Sequence, residues 1–321
     1  MKKVIPIVIC ALLAFGTAGC ASGSPGVHDI ISPPPLMLPE PADFTDPRYD
    51  QVYEPVEGMS LVVSNSKWGF IDEDLNEIVP PKYEFADVFR DGFAMVRLDG
   101  KIGMINKAGV EVVPPKYEAF CNFYEDVAWV RLGGKWGVID RNGSEIIPPK
   151  YVYSAYSFSE GLSGVMVGSK WGFIDKQDNM VVKPKYQNVD DFKYGLAGVM
   201  LKGKWGFVDK SGSVIVKPKY DNYRPFSDEY CEGMATIILK DKWGFLNKDG
   251  VEVVPPKYDA VWNFREGRAG VKLDGKWGFI DKDGNEIVPP KYDQVKAYSD
   301  GVAWFQTGDK EGYIDLNGNE V

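Results

Sequence analysis

The sequence predicts an all-β array of eight repeats, and three observations carry that reading. A block returns at a fixed period, each copy carries strand and turn chemistry, and no segment shows the three-and-four apolar spacing of a long helix. The block is clearest in "DGKWGFIDKDGNEIVPPKYDQV", residues 274–295. It returns as "SKWGFIDEDLNEIVPPKYEFA" from Ser66, "GKWGVIDRNGSEIIPPKYVYS" from Gly134 and "GKWGFVDKSGSVIVKPKYDNY" from Gly203, among others. Its lysines, Lys67, Lys101, Lys135, Lys170, Lys204, Lys242, Lys276 and Lys310, are spaced 34, 34, 35, 34, 38, 34 and 34 residues apart. The array therefore occupies residues 47–321 as one cooperative unit.

One copy, Gly267 to Asp300, shows the elements in order. "AGVKL" alternates small or apolar residues with polar ones, and Asp274-Gly275 is a hairpin signal. "KWGFID" is a second strand, "KDGN" a turn, and "EIVP" a third strand expected to end at Pro289 and Pro290, which donate no ladder hydrogen bond. "KYDQV" is expected as a short fourth, edge strand. The glycine after each Trp slot, Gly69 to Gly312, sits inside a strand and implies close approach of a backbone or ring.

Trp68, Trp136, Trp171, Trp205, Trp243 and Trp277 are read as the structural core of the repeats, because Ile102 occupies the same slot and an aliphatic side chain can fill a core. The competing reading makes them a ladder of sugar-binding rings. Tyr49, Tyr83, Tyr117, Tyr151, Tyr186, Tyr220, Tyr258 and Tyr292 pose the same choice: packed rings with surface hydroxyls, or a repeated surface of exposed Lys-Tyr pairs.

The array starts mid-repeat at "PRYD" and stops at "GNEV", so its two ends together complete eight units. That phasing favours a propeller-like closed ring, with small residues in "LAGV" and "LSGV" near a crowded axis. The alternative is an open β-solenoid, which the short period and Glu311 in a core slot support. Length variation falls between the Pro-Lys-Tyr block and the next opening strand. The longest insertion, with Tyr223, Arg224, Phe226 and Tyr230, is the candidate partner-contact loop.

Residues 1–19 have Lys2 and Lys3, an apolar run to Phe15 and small residues before Cys20, the layout of a secretory signal. Residues 20–46 are rich in Pro and Ser and are expected to form a tether. The "TAGC" ending resembles a bacterial lipoprotein signal. That resemblance implies a diacylglyceryl- and acyl-modified Cys20 (a palmitate-type anchor), and Ala21 in the next position implies the outer membrane.

Removing Lys2 and Lys3 with the signal leaves 35 basic side chains against 46 acidic, with no basic stripe, so nucleic acid is not an expected partner. Cys121 and Cys231 lie about three repeats apart and are expected as separate, mostly buried thiols. The only histidine, His28, sits in the tether, which leaves no Ser/His/Asp, Cys/His or His-rich metal arrangement. "DKDGN" fails as a calcium loop because position 292, where a bidentate Glu is needed, is Tyr. No cofactor or metal is expected. A carboxylate-pair glycosidase is the remaining enzymatic reading.

The recurring K-W-G-F-I-D, E-I-V-P-P-K-Y-D and F-x-E-G-L-A pattern resembles the WG-repeat family of bacterial proteins, with Ile102 and Glu311 as departures in the Trp slot. The resemblance brings no catalytic residues and implies an envelope or interaction protein. The expected function is a lipid-anchored, non-catalytic interaction platform that binds another envelope protein. Peptidoglycan or polysaccharide binding through the repeated aromatics is the alternative.

Overall fold

The computed structural model describes residues 38–321 apart from Phe44, Tyr156 and residues 228–230. The signal segment, Cys20, His28 and Tyr230 lie outside the described residues. The described chain is all-β. Its first sheet holds β1 (Gln51–Val52), β2 (Met59–Ser64), β3 (Lys67–Asp72) and β4 (Glu77–Tyr83), each antiparallel to the next. Six further sheets repeat this four-stranded meander, and an eighth has three strands, the last of them Lys310–Asp315.

The prolines do not end the third strand of a copy. The strand Glu286–Tyr292 runs through Pro289 and Pro290, because a bulge removes the need for their N–H groups. Trp277 pairs with Tyr292 and Phe279 with Val288, so Gly278 alone faces the three residues Pro289 to Lys291. A Cβ on Gly278 would lie 2.2 Å from the Val288 carbonyl oxygen. The close approach expected at the repeated glycine is therefore a backbone one. "QV" is not a fourth edge strand of its own copy. Gln294–Val295 pairs with Val302–Thr307 and opens the following sheet.

Hydrophobic clusters form between successive sheets. Phe70, Val79 and Tyr83 of the first sheet pack with Ala86, Phe89, Ala94, Val96 and Ile105 of the second, and each later junction repeats the arrangement. The two ends finish on their own sheets: residues 40–42 bond to residues 52–54, and Glu320 bridges Ile314. Among the described residues no core cluster, ion pair or ring contact joins the eighth sheet to the first. The ends thus do not complement each other as a ring closure would require, and the contacts are those of the open alternative, neighbour to neighbour.

Candidate functional site

The residues that recur are committed to holding the array together. Tyr83, fully buried, donates its hydroxyl to Glu111 of the next sheet at 2.9 Å, and Lys82 reaches the same carboxylate at 3.1 Å while its ammonium lies 4.8 Å from the Tyr83 ring. The same link joins Tyr49 to Glu77, Tyr117 to Glu145, Tyr151 to Asp178, Tyr220 to Glu252, Tyr258 to Glu286 and Tyr292 to Glu320. The Lys-Tyr pairs are therefore not a free contact surface: the paired rings from Tyr83 to Tyr292 are buried, and Lys82, Lys116, Lys150, Lys219, Lys257 and Lys291 pair with the acid that the ring meets. Burial first, then the Glu111 hydrogen bond and charge, drives the Tyr83 pKa far above the ordinary phenol range.

A second ladder runs through the Glu-Gly turns. Glu57 accepts the Asp91 and Gly92 N–H groups of the next repeat at 2.7 and 3.0 Å and pairs with Lys107 at 3.2 Å. Glu125, Glu160, Glu232 and Glu266 cap their successors likewise. The "DKDGN" acid folds back on its own turn, Asp281 accepting the Asp283 and Asn285 N–H groups at 3.0 and 2.8 Å. No group of three His, Cys, Asp or Glu suited to a metal occurs among the described residues.

The tryptophans are less enclosed than a core reading implies. Trp136 and Trp205 are buried, whereas Trp68, Trp171, Trp243 and Trp277 are half-buried. Partner side chains cover three of these four: Tyr53 stacks on Trp68 at 5.8 Å, the Arg224 guanidinium lies 4.8 Å from Trp243, and Trp262 packs 4.9 Å from Trp277. The deepest aromatics are the tyrosines and the Phe of the W-G-F block, because the Trp stands at the end of its strand and the Phe in the middle.

The described part of the segment that carries the insertion forms a strand and not a surface loop; residues 228–230 lie outside the described residues. It lengthens the first strand of the sixth sheet from two residues to six, Asn222–Ser227. Tyr223 turns inward and donates its hydroxyl to Asp190 of the preceding repeat, into space left by Gly198. Phe226 is buried against Phe207 at 5.7 Å, and Arg224 covers Trp243. As a partner contact, Tyr223, Arg224 and Phe226 are thus a correction: Tyr223 and Phe226 are buried in a junction and Arg224 lies over Trp243. Cys121 and Cys231 are not joined by a disulfide, one is half-buried and one buried, and burial pushes the Cys121 thiol up to about 12, away from nucleophilic chemistry. Asp190 and the neighbouring Asp191, whose carboxyl is pushed up to about 6, are occupied by Tyr223 and by the Ser157 hydroxyl at 3.1 Å.

What remains for a ligand are positions where the repeats disagree. After the short first strand of each sheet, one position holds Tyr53, Asp87, Cys121, Ala155, Asp190, Arg224, Trp262 and Lys296 in turn. Its neighbour on the next strand varies with it, as Met95 does beside Asp87 and Gly270 beside Trp262. Tyr53, Arg224 and Trp262 of this column lie against the block Trp of their own sheets, so the place recurs while the side chain that fills it does not.

Around Asp87 and Cys121 the surface opens into a groove of about 290 Å³ between the second and third sheets. The cause lies in the degenerate second copy, where "KIGM" replaces "KWGF". At five junctions the block Phe meets a ring of the next repeat edge-on, such as Phe70 with Phe89 at 4.9 Å and Phe245 with Phe264 at 5.0 Å. In the third copy Val138 replaces that Phe, and Trp129 fills in by stacking on Phe158 at 5.8 Å. In the second copy Met104 offers no ring. Phe123, whose counterparts Phe89, Phe158, Phe192 and Phe264 are buried, is left half-buried, turned toward Phe120 and capped by the Arg141 guanidinium at 5.2 Å. Sequence inspection noted Ile102 but missed Met104, Met95 and Phe123. The signal was present as a second departure within the same copy.

The fold and this site define an all-β repeat protein whose conserved block is structural and whose individuality lies in its exceptions. Eight stretches, residues 45–68, 68–101, 102–136, 136–171, 171–205, 205–242, 243–277 and 277–310, match the WG containing repeat, and the chain belongs to that family. No curated protein matches it in sequence. Solved structures resemble it weakly: a eukaryotic initiation factor at 11% identity and TM-score 0.39, covering 84% of this chain and 85% of that one. Hsv2 of Kluyveromyces lactis matches at 9% and 0.35, over 80% and 95%. PorZ, a surface component of the type-IX secretion system of Porphyromonas gingivalis, matches at 10% and 0.28, over 82% and 44%. These likenesses carry no functional argument.

Proposed function

We propose that the chain is an exported protein of the bacterial envelope, anchored by lipid on Cys20 in the outer membrane, whose array is a non-catalytic platform for a protein partner. The observation that carries the reading is the division of labour among side chains. Recurrent Tyr, Lys and Glu groups are consumed by sheet-to-sheet contacts, whereas the column from Tyr53 to Lys296 and the groove beside it differ from repeat to repeat. Surfaces that recognise one protein partner need non-repeating chemistry; a glycan ladder needs repeating open rings. The half-buried tryptophans favour the glycan reading by their spacing but oppose it by their cover.

The experiment is photo-crosslinking in the envelope from benzoylphenylalanine placed at Tyr124, which is exposed at the groove, and at Tyr313, exposed in the last sheet. A discrete protein adduct is expected. Salt-resistant co-sedimentation with peptidoglycan sacculi in place of such an adduct overturns the reading in favour of glycan. For the anchor, Cys20→Ala is expected to abolish palmitate labelling and release the protein from membranes.

A further inference from the structure

We propose that the groove between the second and third sheets receives a single aromatic side chain of a partner peptide, flanked in that peptide by Lys or Arg. The inference rests on the protein-partner reading and specifies its ligand. Five junctions insert the block Phe against the next repeat's ring, a sixth substitutes Trp129, and only at this one does the pair lack its first ring. Phe123 is consequently an aromatic surface without an aromatic partner from the preceding sheet, beside the adaptable Met95 and Met104. A ring supplied from outside would restore edge-on packing of the kind the array builds elsewhere.

The flanking charge follows from the rim. Asp91 and Asp126, 77% and 83% exposed in their side chains, share the one guanidinium of Arg141, at 3.4 and 2.8 Å. Asp87, buried in the wall, is met by Arg90 at 3.3 Å, so the mouth keeps one carboxylate in excess. A cation beside the entering ring meets that excess, and an acidic neighbour is repelled.

The test uses the full chain in nonionic detergent with 13C-methyl methionine, titrated with the peptides KKFKK, KKAKK and EEFEE. The Met95 and Met104 lines are expected to shift saturably with KKFKK, while KKAKK and EEFEE bind at least about tenfold more weakly. Met104→Phe supplies the ring internally and is expected to abolish the KKFKK response with the other methionine lines unmoved, which shows that the fold is kept. Asp91→Asn with Asp126→Asn is expected to weaken KKFKK and leave EEFEE no weaker. Unmoved Met95 and Met104 lines, or equal shifts with all three peptides, overturn the inference even where crosslinking captures a protein elsewhere on the array. Absence of any protein adduct from both crosslinking positions removes the platform reading and the inference with it.

Discussion

The junction between the first and second sheets and that between the fourth and fifth place the same ring in the same pocket with different polar support. Tyr83 is fully buried and its hydroxyl meets Glu111, which Lys82 also holds. Tyr186 is 1% exposed, yet Val214 stands where the acid belongs, and the hydroxyl has no hydrogen-bond partner. The sheets pack at both junctions. The ring and the bulge that presents it are therefore what the fold requires, and the hydroxyl-to-acid link is an addition that one junction lacks.

Breaking what the two junctions share has the largest expected effect. A Cβ on Gly69 or Gly172 would lie 2.4 or 2.3 Å from a carbonyl oxygen of the bulged strand, so Gly69→Ala and Gly172→Ala are each expected to cost about 2–3 kcal/mol in denaturant unfolding. Gly312→Ala, where only the Phe305 ring comes close, at 3.1 Å, is expected to cost clearly less. Equal losses at all three would show that the bulge is not the reason for the glycine.

Removing the hydroxyl sharpens the contrast. Tyr83→Phe leaves Glu111 with Lys82 alone and is expected to lose about 1–2 kcal/mol, while Tyr186→Phe removes an unpaired polar atom and is expected to be neutral or stabilising. Adding the missing acid is the smaller step: Val214→Glu, at a half-exposed position, is expected to gain about 0.5–1.5 kcal/mol, and the gain should shrink in a Tyr186→Phe background to what a pair with Lys185 alone supplies.

Acid offers the gentlest test. Burial pushes the Glu111 carboxyl up, but hydrogen bonds from Lys82 and Tyr83 outweigh it and leave it below its usual value. Glu320 is held at about 2, first by the Lys310 hydrogen bond and then by Tyr292. A carboxyl depressed in the folded state stabilises above its unfolded value and loses that contribution as pH falls toward the folded one. Protection against hydrogen exchange, taken relative to the intrinsic amide rate at each pH, is therefore expected to fall between about pH 4.5 and 2 at the Glu111 and Glu320 junctions before the one at Val214, where no carboxyl meets the tyrosine. A uniform loss of protection would contradict the assignment.

Much of this molecule was legible in its repeats. The period gave the number of sheets, the Asp-Gly and Lys-Asp-Gly turns gave the strand order, and the strand glycines announced a close approach. Pro289 and Pro290 misled because a ladder rule was applied where a bulge suspends the ladder. The segment with the insertion misled because extra length was read as exposure of its neighbours, whereas Tyr223 and Phe226 hold ordinary repeat positions and pack beside Gly198 and Phe207. Met104 passed unnoticed as a conservative apolar change, since its consequence falls on Phe123, nineteen residues away on another sheet.

By itself the sequence determined the all-β class, the eight units, their family and the residues every unit must spend on the next, because each is a local pattern multiplied by a period. Only the tertiary structure decided that the ends pair with their own sheets, that the tyrosines outrank the tryptophans in burial, and that a groove opens at one junction. Those outcomes depend on how two different copies fit across a shared face, and complementarity between surfaces is a property of the pair, not of either strand's own sequence.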